Sequence, residues 1–95
     1  MREREVEAYL VRRVKAAGGD TRKVKWIGRV GAPDRLVLIS GWHYLVEVKK
    51  PKGGILESHQ VREHKRLRDA GFRVYCAWDK EQVDYMLQLE FARVW

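Results

Sequence analysis

The run Asp34-Arg35-Leu36-Val37-Leu38-Ile39, the pair Ser40-Gly41 and the run Trp42-His43-Tyr44-Leu45-Val46-Glu47-Val48-Lys49 decide the fold. Asp34 to Ile39 and Tyr44 to Val48 are short, nearly continuous apolar runs rich in β-branched residues, which predicts two strands buried on both faces. Ser40-Gly41 between them is a tight-turn signal. With a two-residue loop, Ile39 pairs with Trp42, and counting back along both strands sets Asp34 opposite Glu47. Cross-strand partners share a face with Cβ atoms about 5 Å apart. The strand period of two adds Lys49 to that face. Two carboxylates and an ammonium are therefore expected to converge on one side of a sheet.

Charges inside buried strands need a partner. Two close carboxylates raise each other's pKa unless a cation intervenes. One lysine supplies part of that compensation. A divalent cation supplies more, and hard oxygen ligands suit Mg²⁺ or Mn²⁺. The same spacing also allows a purely structural Asp-Lys-Glu network at a sheet end.

Upstream, Val6, Leu10, Val14 and Ala17 recur at three- and four-residue steps, predicting a helix over Met1 to Ala17 that Gly18-Gly19 stops. Glu3 and Glu7 lie one turn apart at a border of the apolar stripe, so either is a candidate to face the site, whereas Glu5 points away. An N-terminal acidic residue such as Glu3 also simply suits the helix dipole. Arg22 to Ile27 alternates cationic and apolar residues and reads as the first strand, with Val24 on one face and Lys23 and Lys25 on the other.

Downstream, Lys50 to Glu57 is a loop carrying Pro51, Gly53 and Gly54. Ser58 is the expected N-cap of a second helix that runs to Ala70 and stops at Gly71. Phe72 to Trp78 is a fourth strand, and Asp79 caps a last helix with Gln82 at the capping-box position. The order is α-β-β-β-α-β-α. Gln60, in the first turn of the second helix, is placed to hydrogen-bond a water or phosphate, although an isolated glutamine is more often a surface residue.

The chain has 95 residues, 45% hydrophobic and 35% charged, which fits one folded domain over 1–95 with one modest core. Lys plus Arg total 20 against 13 Asp plus Glu, a net +7. Such a chain prefers polyanions, nucleic acid first and an acidic membrane surface second. No apolar run approaches the roughly 18 residues of a membrane span, and Met1 to Glu7 lacks the apolar region of a signal peptide. The single cysteine, Cys76, excludes an internal disulfide framework and points to a reducing cytosol, with the thiol read as a core residue. His43, His59 and His64 lack metal spacing with Cys76. Trp26, Trp42, Trp78 and Trp95 read as packing residues, and Arg62, Lys65, Arg66 and Arg68 as a solvated helix side.

Gly31-Ala32-Pro33-Asp34-Arg35, then Glu47-Val48-Lys49, then Gln60 resembles the PD-(D/E)XK nuclease signature and, more narrowly, the virus-type replication-repair nuclease domain, VRR-NUC. The resemblance covers nearly the whole chain, including the Glu-bearing first helix, the Gly-rich loop after Glu-x-Lys and Leu67-Arg68-Asp69-Ala70-Gly71-Phe72-Arg73-Val74. It implies an α/β restriction-endonuclease-like core with a mixed central sheet flanked by helices. Asp34, Glu47 and the Val48 carbonyl would bind Mg²⁺ or Mn²⁺. Lys49 would steady or deprotonate the attacking water, and Gln60 would orient the network. The resemblance also implies a helix-1 glutamate as an outer metal ligand, and its spacing to the helix-ending glycine in related Holliday junction resolvases favours Glu7 over Glu3. The implied reaction is phosphodiester hydrolysis leaving 5′-phosphate and 3′-hydroxyl ends.

Lys50 and Lys52 flank Pro51 just beyond this signature, Lys23 and Lys25 line a strand face with Arg22, and Arg29 and Arg35 bracket the Gly-x-Pro-Asp turn. All are placed to hold DNA phosphates without reading bases. Stand-alone members of the family resemble Holliday junction resolvases, which act as homodimers. The expectation is therefore a metal-dependent, structure-specific endodeoxyribonuclease resolving four-way junctions as a homodimer in a phage-infected or bacterial cytoplasm. Phe91, Val94 and Trp95 are expected to contribute to the dimer. The alternatives are a nicking or restriction-like nuclease on duplex or flap DNA, and a catalytically inactive DNA-binding module.

Overall fold

Ile39 pairs with Trp42, and the antiparallel register runs back from there to Arg35 opposite Val46. This is the alignment the two-residue turn demands, and Gly41 meets it with a φ of +78°. The structure is a computed structural model that describes residues 1–39 and 41–94, with side chains described through Glu90. Its order is α1 (Glu3–Ala16), β1 (Asp20–Lys23), β2 (Arg35–Ile39), β3 (Trp42–Val48), α2 (Ser58–Asp69), β4 (Val74–Ala77) and α3 (Lys80–Val94). The four strands form one sheet in chain order, β1-β2-β3-β4. β1, β2 and β3 form an antiparallel meander, and β4 joins β3 in parallel. The parallel pair requires a crossover, which α2 provides.

Side-chain alternation divides the sheet into two faces. Val37, Ile39, Tyr44, Val46, Val48 and Ala77 point to one face, where they form the core with Val6, Leu10 and Val14 of α1 and Val83, Met86 and Leu87 of α3. The stripe expected on the first helix is thus the stripe that packs. Leu36, Leu38, Leu45, Glu47 and Cys76 alternate onto the other face, which carries α2. That single helix packs against β4 and leaves β2 open, so Leu38 is exposed and β2 is buried on one face only. β3 is buried from Tyr44 to Val48, as expected for a central strand.

α1 and β4 are shorter at both ends than the expected Met1 to Ala17 and Phe72 to Trp78, and three boundaries near the carboxylates differ as well. β1 begins at Asp20 and ends at Lys23, not over Arg22 to Ile27. Its partner β2 starts at Arg35, and one further bond, from Val24 N–H to the Asp34 carbonyl, closes the ladder between them. Asp34 lies one residue before β2 rather than opening it. The cap of α2 is Glu57, not Ser58. The Asp79 cap of α3 is present, its carboxylate accepting from the Gln82 N–H at 2.8 Å.

Gly19 is where α1 turns tightly into β1. A Cβ there would lie 2.5 Å from the Leu38 carbonyl oxygen and 3.0 Å from both Ile39 Cβ and Val14 Cγ1. Those neighbours are backbone and core and cannot yield cheaply. Gly19→Ala is expected to lower stability by about 1–3 kcal/mol in urea denaturation, and a variant as stable as the parent chain would contradict this packing.

Candidate active site

The topology gathers one end of the sheet. β1 and β3 end there, β2 begins there and β4 ends there, so the connections 24–34, 49–57 and 78–79 lie together. The N-termini of α2 and α3 follow two of these connections, and Glu7 of α1 reaches the same end through Arg35. Trp78 ties the connections together by donating its indole N–H to the Gly54 carbonyl at 3.0 Å.

Asp34 stands one step beyond the Arg35–Val46 pair and therefore beside Glu47. Its Oδ2 accepts the Val48 backbone N–H at 2.7 Å, a bond that locks the carboxylate against the end of β3. Glu47 is 2% exposed. Its Oε2 accepts from Gln60 Nε2 at 3.0 Å and lies 3.4 Å from Lys49 Nζ. Gln60 Oε1 in turn accepts from Lys49 Nζ at 3.0 Å and from the Glu57 N–H at 2.9 Å. The first bond places Lys49, and the second is the capping contact that fixes the first turn of α2. Glu47 Oε1 is buried and has no hydrogen-bond partner.

Burial pushes the Glu47 carboxyl up to about 7, and the neighbouring Asp34 charge adds to this against the opposing pull of Lys49 and Gln60. Asp34 is raised as well, first by burial and also by the Glu7 charge, while the Val48 N–H works in the other direction. A pair of raised, adjacent carboxylates with one buried oxygen unsatisfied is an electrostatic deficit of positive charge. Two adjacent carboxylates, one with a buried oxygen lacking a partner, are a donor set whose chemistry suits a hard divalent cation. No group of three His, Cys, Asp or Glu side chains is gathered closely enough to hold a metal among the described residues.

Glu7 lies at the edge of this arrangement. Its Oε2 takes the Arg35 Nε at 2.7 Å on the α1 side of the sheet, so both residues are engaged with each other. Glu3 and Glu5 are exposed. Lys23, Lys25, Lys50 and Lys52 are exposed around the same end. Arg29 is also exposed, but its Nε stands 3.8 Å from Glu63 Oε1. On α2, Arg66 pairs with Glu63 and Lys65 with Asp69, consistent with a solvated helix side.

Sequence reasoning missed Glu63 and His64, which are 3% and 1% exposed. Gly31 packs directly on this part of α2, where an added Cβ would meet the His59 carbonyl oxygen at 2.7 Å and Glu63 Cβ at 2.8 Å. The pair thus supports the turn that delivers Asp34. A Glu flanked by Arg62 and Arg66, themselves read as a solvated helix side, was the available signal. Cys76 is only half-buried and not a core thiol, because its register partner is Glu47. Burial first, and then the charge of Glu47, pushes the thiol up to about 12.

The raised Glu47 pKa makes a signed prediction. Between its ordinary value of 4.5 and about 7 the folded chain binds more protons than the unfolded one, so stability falls as pH rises through this window. Glu47→Gln removes the charge and keeps the shape. With divalent ions chelated, it is expected to be more stable than the parent by about 1–3 kcal/mol at pH 8, with the gain vanishing at pH 4. Denaturant unfolding at both pH values checks this, and an equal effect at both would contradict it.

No family model matches the chain. A phage protein named "Putative nuclease p44", from Acyrthosiphon pisum secondary endosymbiont phage 1, is 41% identical over 75 residues, covering 78% of this chain and 80% of that protein. A solved structure described as a VRR_NUC domain superposes with a TM-score of 0.84 at 41% identity, covering 90% of this chain and 94% of its own. Sequence and architecture agree over most of the chain, and the chain belongs to the VRR-NUC nuclease family.

Proposed function

We propose that the protein is a divalent-metal-dependent, structure-specific endodeoxyribonuclease that resolves four-way DNA junctions as a homodimer. The observation that carries the reading is Glu47. One carboxylate oxygen is held by Gln60 and Lys49, the other is buried and unpartnered, and the residue stands beside Asp34. A carboxylate built to fill a core would not be left so. One built to hold a cation would be.

Asp34, Glu47 and the Val48 carbonyl would hold Mg²⁺ or Mn²⁺, with Glu7 as an outer acidic group. The cation would supply an electrophile that acidifies water and offsets charge developing on the phosphate. The chain's own residues do the rest. Gln60 keeps Lys49 Nζ beside Glu47, where its ammonium steadies the attacking water and opposes phosphate charge. The Val48 N–H holds Asp34 in place through Oδ2. Lys23, Lys25, Lys50 and Lys52 would lie along the phosphate backbone, with Arg29 and Arg35 available once exchanged from Glu63 and Glu7. The dimer-forming residues expected at Phe91, Val94 and Trp95 lie outside the described side chains.

Cleavage of a labelled four-way junction, a linear duplex and a flap with Mg²⁺ or Mn²⁺ tests the reading. The parent chain is expected to cut the junction in paired, symmetric positions. Glu47→Ala and Lys49→Ala are each expected to lose at least about 100-fold in rate. Equal cutting by parent and variants would show that the site is misassigned, tight binding without cutting would favour a DNA-binding module, and a monomer in light scattering at micromolar concentration would contradict the dimer.

A further inference from the structure

Two loops leave the sheet beside the carboxylates, and each presents an exposed isoleucine among cations. In the 24–34 connection Ile27 is 98% exposed and Val30 68%, and in the 49–57 connection Ile55 is 66% exposed. Burying such side chains is favourable, so exposure this complete on a turn next to a catalytic centre calls for an occupant. The surrounding charge identifies its chemistry. Residues 21–33 contain Arg22, Lys23, Lys25 and Arg29 and no acid, and residues 48–56 contain Lys49, Lys50 and Lys52 and no acid. A partner that meets these loops is a polyanion with an apolar interior, which describes stacked bases inside a phosphate backbone.

The backbone separates a free tip from a fixed base. Gly28 has a φ of +82° and nothing within 4 Å of an added Cβ, so the chain turns in open space there. Gly31, at a φ of +95°, is pressed on the His59 carbonyl and Glu63 of α2. Arg29, between them, leans toward Glu63 at 3.8 Å and remains 57% exposed. The base is thereby anchored on the helix that also carries Gln60, and the tip projects from it.

We infer that the Lys25–Val30 turn is a DNA wedge, in which Ile27 enters a base step next to the cleaved phosphate while Lys25 and Arg29 hold the flanking phosphates. This rests on the DNA-nuclease reading and names how that same site distorts its substrate. Partial unstacking by an inserted aliphatic side chain opens a step and kinks the strand. At a junction the central steps are already strained, so the wedge selects branched DNA without base-specific contacts.

The test uses the full chain carrying Glu47→Gln, which blocks turnover, and a four-way junction with 2-aminopurine at the central steps. Binding in Mg²⁺ is expected to raise the fluorescence several-fold. Adding Ile27→Ser, a fully exposed position that does not endanger folding, is expected to abolish the rise and weaken binding about tenfold. Adding Lys25→Gln is expected to weaken binding and flatten its salt dependence while the saturated complex keeps the rise. Binding without a rise, or a rise that survives Ile27→Ser, overturns the wedge alone. Failure of the Glu47→Gln chain to bind any DNA overturns the nuclease reading with it. Conversion of a dimer to a monomer by Ile27→Ser overturns the wedge in favour of contact between copies.

Discussion

The Gln60 amide can face Glu47 in only one way. Its oxygen accepts from Lys49 Nζ and the Glu57 N–H, both of which are donors only, so its nitrogen must be the atom turned to Glu47 Oε2. Three elements meet in this one side chain: the end of β3, the loop after it and the first turn of α2. The cap that starts the helix is therefore the same group that orients the lysine and one carboxylate oxygen. Remove the amide and Lys49 loses its anchor, Glu47 loses a donor and α2 loses its first-turn bond. Fold and site are coupled at this point, and the remaining Glu47 oxygen is left with no donor of its own.

That remaining oxygen explains why the site sits where it does. A sheet interior excludes water and raises both carboxyl pKa values, which strengthens attraction to any cation that enters. The strand-end position keeps one side open to solvent and DNA. α2 covers the face behind Glu47, and the α1–α3 layer holds the core on the other side. The stability that Glu47 takes away above its pKa is supplied by that core of valines, leucines and aromatics, in keeping with the strain expected at functional sites.

Much of this was legible in the order of residues. The apolar runs around Ser40-Gly41 specified the hairpin, and the hairpin register specified that Asp34, Glu47 and Lys49 share a face, because side-chain period and turn length leave no freedom. The stripe of the first helix followed from periodicity, and the Asp79 cap from the placement of Gln82 three residues on. The Glu57 cap was hidden because Ser58, a better capping residue type, stands beside it. The end of β1 at Lys23 was hidden because it depends on where its partner strand begins, at Arg35, not on its own alternation. Glu63 and the Glu7–Arg35 pair were hidden for a related reason: charged residues were judged on their own elements, and their partners come from loops and strands distant in sequence.

The central claim is that Asp34 and Glu47 together form one divalent-cation site. Mn²⁺ binding to the intact chain, followed by calorimetry or by loss of the free-ion paramagnetic signal, tests it directly. One ion per chain is expected, with binding lost in Glu47→Gln and retained in a variant of the exposed Glu5. Undiminished Mn²⁺ binding by Glu47→Gln, or no binding by the parent chain, would contradict the assignment.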